Sequence, residues 1–395
     1  MKPIKLFATI ALLLLMSSFA WAAPPQLHVD GNKIKDTDGN IVRLQGVNVP
    51  SMEWRADGDH VLQSVDEAID NWHANFIRLP LCQDRWFGKA PEQTDDGTAY
   101  RNLVQQVVDE VSKKNCYILL DLHWNDANQW GKNIGQHELP DDNSLAFWKA
   151  VAAQYANDPA VLFDLYNEPH DVSWDLWQHG GQVTEHFRAN QAFGASPAID
   201  LVYHSPGMQG LLDAVRVTGA KNVVVVGGLD WAYQLDGIVQ GHGLNDDNGN
   251  GIIYATHIYP QKKDWDVHVT PASKRHAIIV SEMGAGTFNP WNNVNPYYWV
   301  PSLFSYVDQH QFSWSGWSFH PSAGPTIISN WDYTPTPYWG SFVRAELAKR
   351  DPNAPLPRPS FAGRPGGPGP AQPPAAPAAT PKPPATPPAS APPAQ

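Results

Sequence analysis

The stretch VLFDLYNEPH, residues 161–170, runs from mostly apolar residues into a polar Asn-Glu-Pro-His end. A short apolar, partly β-branched run of this kind reads as a strand covered on both faces. Its carboxylate, Glu168, then stands at the strand's C-terminal end.

Outward from it, similar runs recur on both sides: VRLQGVNV (42–49), NFIRLPL (75–81), YILLDLHW (117–124), VLFDLYNEP (161–169), VVVVGG (223–228), IIYATHIY (252–259), AIIVSEMG (277–284) and FSWSGWSF (312–319). Between most of them lie helix-like segments at 60–74, 100–115, 144–156 and 295–310. In the second of these, Leu103, Val104, Val107, Val108 and Val111 keep the i, i+3/i+4 spacing of one helix face. Strands alternating with helices imply parallel pairing, because parallel strands need crossover connections. Eight such runs point to a (β/α)8 (TIM) barrel, an α/β fold. An open doubly wound sheet is the alternative, but no Gly-rich turn of the GxGxxG or P-loop type follows any strand. Ahead of the first run, residues 27–46 carry two Asp/Gly turns between short alternating segments and read as an N-terminal β-hairpin.

The two ends of the chain read differently. Residues 1–22 combine Lys2 and Lys5, an apolar run from Leu6 to Phe19 and the small-residue site Ala20-Trp21-Ala22, the pattern of a cleaved secretory signal. The apolar part is shorter than the ~20 residues a membrane span needs. From residue 351 to 395 the chain is Pro, Ala, Gly and Thr with almost no large apolar residue, which predicts a disordered linker or tail. The catalytic domain is therefore expected within 23–350, in a secreted protein with no membrane attachment after cleavage and acting as a monomer. The formal charge of −12 speaks against nucleic acid as a partner.

The sequence has two cysteines, Cys82 and Cys116. If NFIRLPL and CYILLDLHW are parallel neighbours, these lie at opposite strand ends, ~20 Å apart at ~3.3 Å per residue. A disulfide needs Cα atoms within ~7 Å, so two free thiols are expected.

In a barrel, chemistry sits at the C-terminal strand ends. Read in order, those ends offer Arg78, His123, Asn167 and Glu168, His257 and Tyr259, Glu282, and Trp317. Glu168 ends the fourth strand and Glu282 the seventh, which face each other across the barrel mouth. Paired carboxylates over one substrate are what glycoside hydrolysis requires. The 17 tryptophans fit a sugar ligand, since flat apolar faces with a polar edge suit pyranose rings. Many of them follow strand ends: Trp54, Trp86, Trp124, Trp130, Trp174, Trp177, Trp231, Trp265, Trp291 and Trp331. About half are expected to be structural.

With these residues in view, VLFDLYNEPH resembles the signature segment of glycoside hydrolase family 5, the large cellulase family. Arg78 in NFIRLP, His123 in LDLHW, His257 and Tyr259 in THIY, Glu282 in VSEMG and Trp317 in GWSF match its other landmarks. The likeness runs from the opening hairpin to about Trp339. It implies a retaining mechanism with Glu168 as acid/base and Glu282 as nucleophile. Arg78 and Tyr259 would donate to Glu282 and keep it ionised, Asn167 would bind the sugar 2-hydroxyl, His257 would tune Glu168, His123 would bind a sugar hydroxyl, and Trp317 would lie beneath the cleaved sugar. The substrate implied is a β-glucan, cut as by a bacterial endo-β-1,4-glucanase, with no cofactor. A β-mannanase, a xyloglucanase or another β-glycan hydrolase shares that chemistry, and a barrel that binds sugar without cleaving it is the remaining class. Loops 125–143 and 171–204 would decide among the sugars.

Two further signals are set aside. LNDDNGNG (244–251) begins like an EF-hand loop, but its twelfth position is His257 where a bidentate Glu belongs, so a tight turn is expected. The 15 histidines form no HExxH and no Cys-His zinc spacing, so no metal is assigned.

Overall fold

The computed structural model describes residues 23–127, 135–187, 199–287 and 294–350. The expected signal segment and the Pro/Ala-rich tail lie outside the described residues, as do Trp130 and Trp291. Strands β1 (Leu27–Asp30) and β2 (Lys33–Asp36) form the N-terminal hairpin. Eight parallel strands then close a barrel: β3 (Gln45–Asn48), β4 (Phe76–Cys82), β5 (Tyr117–Trp124), β6 (Val161–Asp164), β9 (Val224–Gly227), β10 (Ile252–Ile258), β11 (Ala277–Met283) and β12 (Ser313–Gly316). Between β6 and β9 the chain inserts an antiparallel pair, β7 (Gly181–Phe187) and β8 (Ile199–Ser205).

Strand alternation divides the barrel interior into storeys. Phe76, Leu119, Leu162, Val225, Ile253 and Ile279 point inward and share one apolar cluster, with Leu27 and Ile34 of the hairpin closing its lower end. Their neighbours Ile77, Leu120, Phe163, Val226 and Val280 belong to the larger core under the helices. Two residues further along the same inward rows come Arg78, Asp121 and Asp164, all buried. A period of two fixes this arrangement: β4, β5 and β6 each lay an apolar residue in the floor and a charged one above it.

The helices follow their hydrophobic spacing. Thr98–Lys113 buries Tyr100, Val104, Val107, Val108 and Val111 on one face. Asp142–Tyr155 opens on Asp141, whose side chain accepts from Ser144 N, and Pro296–Gln309 opens on Asn295 in the same way. The expected helix at 60–74 is shorter, Val61–Asp66, and passes into a π-helical turn, Glu67–Asn71. Residues 171–204, read as a loop from the sequence, contain a helix, Trp174–His179, and most of the β7–β8 pair. Cys82 and Cys116 are buried and free, and the β4–β5 register, Phe76 opposite Tyr117, sets them at opposite ends of adjacent strands. Asp246 of the Asn/Asp/Gly-rich turn gives both carboxylate oxygens to Arg216, at 2.7 and 2.8 Å. Among the described residues no helix is long and apolar enough to cross a membrane.

Candidate active site

Sheet irregularities aim the side chains at the upper rim. Strand β6 ends at Asp164, four residues short of Glu168, so the acidic residue stands on the turn beyond the strand rather than at its last position. Asn167 N still donates to Leu122 O, which anchors that turn to β5. Glu168 itself has φ 47°, the left-handed region, at a cost of roughly 1–2 kcal/mol for a residue with a Cβ. On the opposite side, the β10–β11 register slips so that Thr256 faces Val280 but His257 faces Glu282. The extra residue, Ser281, bulges β11 and turns Glu282 into the mouth, as bulges beside active sites do.

Arg78 is the hub. Its Nε donates to Asp164 Oδ2 at 2.9 Å, and Nη1 donates to Glu282 Oε1 at 2.6 Å and Asn48 Oδ1 at 3.0 Å. Nη2 donates to Asn167 Oδ1 at 2.9 Å and meets Asp121 Oδ2 at 3.0 Å. One guanidinium thus faces three carboxylates. Burial pushes the Asp121 and Asp164 carboxyls above the usual carboxylate range, with Arg78 opposing.

Glu282 takes its second hydrogen bond from Tyr259, whose hydroxyl donates to Oε2 at 2.7 Å. Burial, and then the Glu282 charge, hold that phenol well above its ordinary pKa, so it remains a donor. Glu168 Oε1 lies 3.0 Å from His257 Nδ1, and His257 Nε2 lies 3.0 Å from Ser281 Oγ. Burial raises the Glu168 carboxyl, against the lowering influence of His123, Arg78, His170 and Lys262. Burial also drives His257 down to about 3 and His123 to about 4, so both imidazoles are neutral. His123 Nδ1 sits 2.6 Å from Asp121 Oδ2, and its ring stacks parallel to Trp317 at 5.4 Å.

One oxygen of each carboxylate and a His257 ring nitrogen lie within 4.8 Å of one another. Such a trio could chelate a cation, but the Arg78 charge bonded to Glu282 disfavours one there. The arrangement is suited to moving a proton on one side of a bond while a carboxylate acts on the other. A cleft of about 610 Å³ opens above it, lined by His123, Glu168, Trp231, Tyr259, Glu282 and Trp317.

Residues 35–323 match the family model described as Cellulase (glycosyl hydrolase family 5). The chain belongs to glycosyl hydrolase family 5. Among curated members it is 23% identical to endoglucanase MaCel5A of Microbulbifer sp. (strain ALW1), covering 82% of this chain and 58% of that protein. With endoglucanase E-5 of Thermobifida fusca it shares 21%, over 74% of this chain and 55% of the relative. This family 5 chain therefore spans a little over half the length of those relatives. Its fold is that of the beta-glucanase SdGluc5_26A from Saccharophagus degradans in complex with cellotetraose, with TM-score 0.62, 21% identity, and 83% and 94% of the two chains covered. The catalytic domain of the major endoglucanase from Xanthomonas campestris pv. campestris gives TM-score 0.61 and 20% identity over 81% and 99%.

All eight residues singled out from the sequence, Arg78, His123, Asn167, Glu168, His257, Tyr259, Glu282 and Trp317, meet at this one mouth. The tryptophans divide: Trp86 and Trp177 are fully buried, while Trp231 is 42% exposed in the cleft wall, stacked on His170 at 3.5 Å. Several residues of the site escaped the sequence reading. Asn48, Asp121 and Asp164 lie inside strands that had been recognised, and alternation from Arg78 would have marked the last two. Glu53, wholly buried near Asp121 and Glu282 and pushed by burial up to about 8, gave no signal. Nor did Gln136, whose side chain bonds to Asn167 and to the Glu168 backbone.

Proposed function

We propose that the protein is a secreted, retaining β-glycan hydrolase that cleaves internal β-1,4 bonds of cellulose or a related β-glucan. The observation that carries the reading is that one oxygen of Glu168 and one of Glu282 lie within 4.8 Å of each other, close enough for a retaining pair. A retaining pair stands ~5–5.5 Å apart, whereas an inverting pair leaves ~6.5–9.5 Å for a water.

Glu282 is the nucleophile. Held on both oxygens by Arg78 and Tyr259, it attacks the anomeric carbon while the Glu168 carboxyl gives its proton to the departing glycosidic oxygen. The products are a Glu282 glycosyl ester and a free sugar hydroxyl. In the second step Glu168, now a carboxylate, takes a proton from water as that water attacks the same carbon and the ester bond breaks. Neutral His257 beside Glu168 accepts or returns a hydrogen bond as the acid changes state. Asn167 has one amide hydrogen on Gln136, while the other makes only a 3.5 Å contact with His123. That second hydrogen is available for the sugar 2-hydroxyl, and Trp317 with His123 forms the platform beneath the cleaved ring.

Residues 23–350 make up the catalytic unit, following a signal removed on export and preceding a linker-like tail, and the unit acts as a monomer. The substrate reading takes support from the endoglucanase relatives and from the cellotetraose complex of the neighbouring beta-glucanase.

The test is reducing-sugar release by the protein and by Glu282→Gln on carboxymethyl cellulose, mixed-linkage glucan, mannan and xylan, with NMR of the first anomer formed. Cleavage of the glucans giving β-anomer first, with a loss of about 10⁴-fold or more in the variant, is the expected result. α-Anomer first would overturn the mechanism. Preference for mannan or xylan would overturn the substrate alone, and binding without cleavage would make this a sugar-binding barrel.

A further inference from the structure

The left-handed turn at Glu168 leaves the carbonyls of Asn167 and Glu168 pointing the same way, away from any strand partner. Gln136, on the loop after β5, meets both: its Nε2 donates to Asn167 O at 2.9 Å and to Glu168 O at 3.0 Å. Through its other end, Oε1 accepts from Asn167 Nδ2 at 3.0 Å. A second donor, His170 Nδ1, reaches Glu168 O at 2.8 Å. We infer that Gln136 is a positioning residue, whose one side-chain amide holds the backbone that aims the Glu168 carboxyl, while the facing of the Asn167 amide is set by Arg78, which donates to its Oδ1.

The geometry favours this over a chance contact. An amide has two hydrogens and one carbonyl oxygen, and here all three find partners on two consecutive residues of the site. Neighbouring residues lock the loop. His137 N donates to Asn125 Oδ1 and to Tyr166 OH, both at 3.1 Å, and His170 N donates to Glu138 O at 3.2 Å. Glu138 N donates to Glu185 Oε2 on β7, and Leu139 N to Tyr203 OH on β8. Gln136 is therefore presented by a fixed frame, so losing its amide lets the turn relax while the frame stays.

The inference rests on reading Glu168 as the proton donor, and the experiment separates the two. Cellotetraose has a poor leaving group that must be protonated, whereas 2,4-dinitrophenyl β-cellobioside leaves without a proton. For Gln136→Ala, kcat/KM on cellotetraose should fall about 10- to 100-fold, since a misplacement of about 1 Å costs on that order. On the dinitrophenyl glycoside the loss should stay within about 3-fold, because acid catalysis is not needed there. Gln136→Glu keeps the shape but sets an oxygen against two carbonyls. It should show the same selective loss at neutral pH and recover relative to the unchanged protein as pH falls, once the new carboxyl can donate. Equal losses on both substrates, or none, would overturn the positioning role. Glu168→Ala is the control. If it showed no leaving-group dependence, the acid assignment itself would fall and this inference with it. If it did, and Gln136→Ala did not, only this inference would fall.

Discussion

Arg78, itself without exposure, donates four hydrogen bonds and meets a third carboxylate, Asp121, at 3.0 Å, and the consequences of replacing it follow from that. Lysine supplies a charge but cannot present a planar fork. Arg78→Lys should unfold at lower denaturant, by about 3–5 kcal/mol, the usual cost of breaking a buried ionic network from one side. Its kcat should fall along with that. Glu168 belongs to the same scale. Its carboxyl is held above the ordinary range by burial, so the protonated, donating form persists to higher pH than for a free glutamate. The alkaline limb of kcat/KM should then lie above the usual carboxylate pKa of ~4.3, and Glu168→Gln should abolish that limb. Arg78, Glu168 and Glu282 were legible because each sits in a short segment of distinctive composition at a strand end. Glu53 was not, because its role depends on a loop path that no periodicity encodes.

Elements decide how firmly the loop beside Glu168 is held. Segment 136–139 is pinned to the inserted β7–β8 pair, chiefly where His137 Nδ1 meets Glu185 Oε2 at 3.0 Å. Burial alone would lower His137, but the hydrogen bond and charge of Glu185, with Asp126 and Asp141, outweigh it and raise the group above 6.5. A histidine raised on folding adds stability that is complete below its unfolded pKa and fades as pH climbs through the folded value. Hydrogen exchange of β7 and β8 should therefore quicken relative to the barrel strands as pH rises above the ordinary imidazole range, and Glu185→Gln should remove that dependence. The barrel strands were readable from their apolar runs. The inserted pair was not, because GQVTEHF and IDLVYHS are short mixed runs whose pairing shows only in their antiparallel register. The bulge at Ser281 was equally hidden, since an extra residue changes where Glu282 points without changing composition.

Across the whole molecule, height in the barrel separates stability from chemistry. On β4, β5 and β6 an apolar floor residue lies two positions below a charged one, and Glu168 and Glu282 stand higher still. Leu119→Ala, fully buried in that floor, should cost about 2–5 kcal/mol in denaturant unfolding yet leave kcat nearly unchanged well below the melting temperature. Eight strand positions and their order were visible in the sequence because alternation of apolar runs and amphipathic segments has few other solutions. Strand ends were set five residues too far at β6 and three at β12, where hydrogen bonding gives way to turns that composition does not mark. One last property follows from the two sealed thiols. Burial raises Cys82 to about 12 and Cys116 to about 11, and opposite strand ends keep them from meeting. The fold is thus indifferent to the redox state of its surroundings. Material made in a reducing cytoplasm should match material made in an oxidising one, with the same unfolding midpoint whether or not dithiothreitol is present.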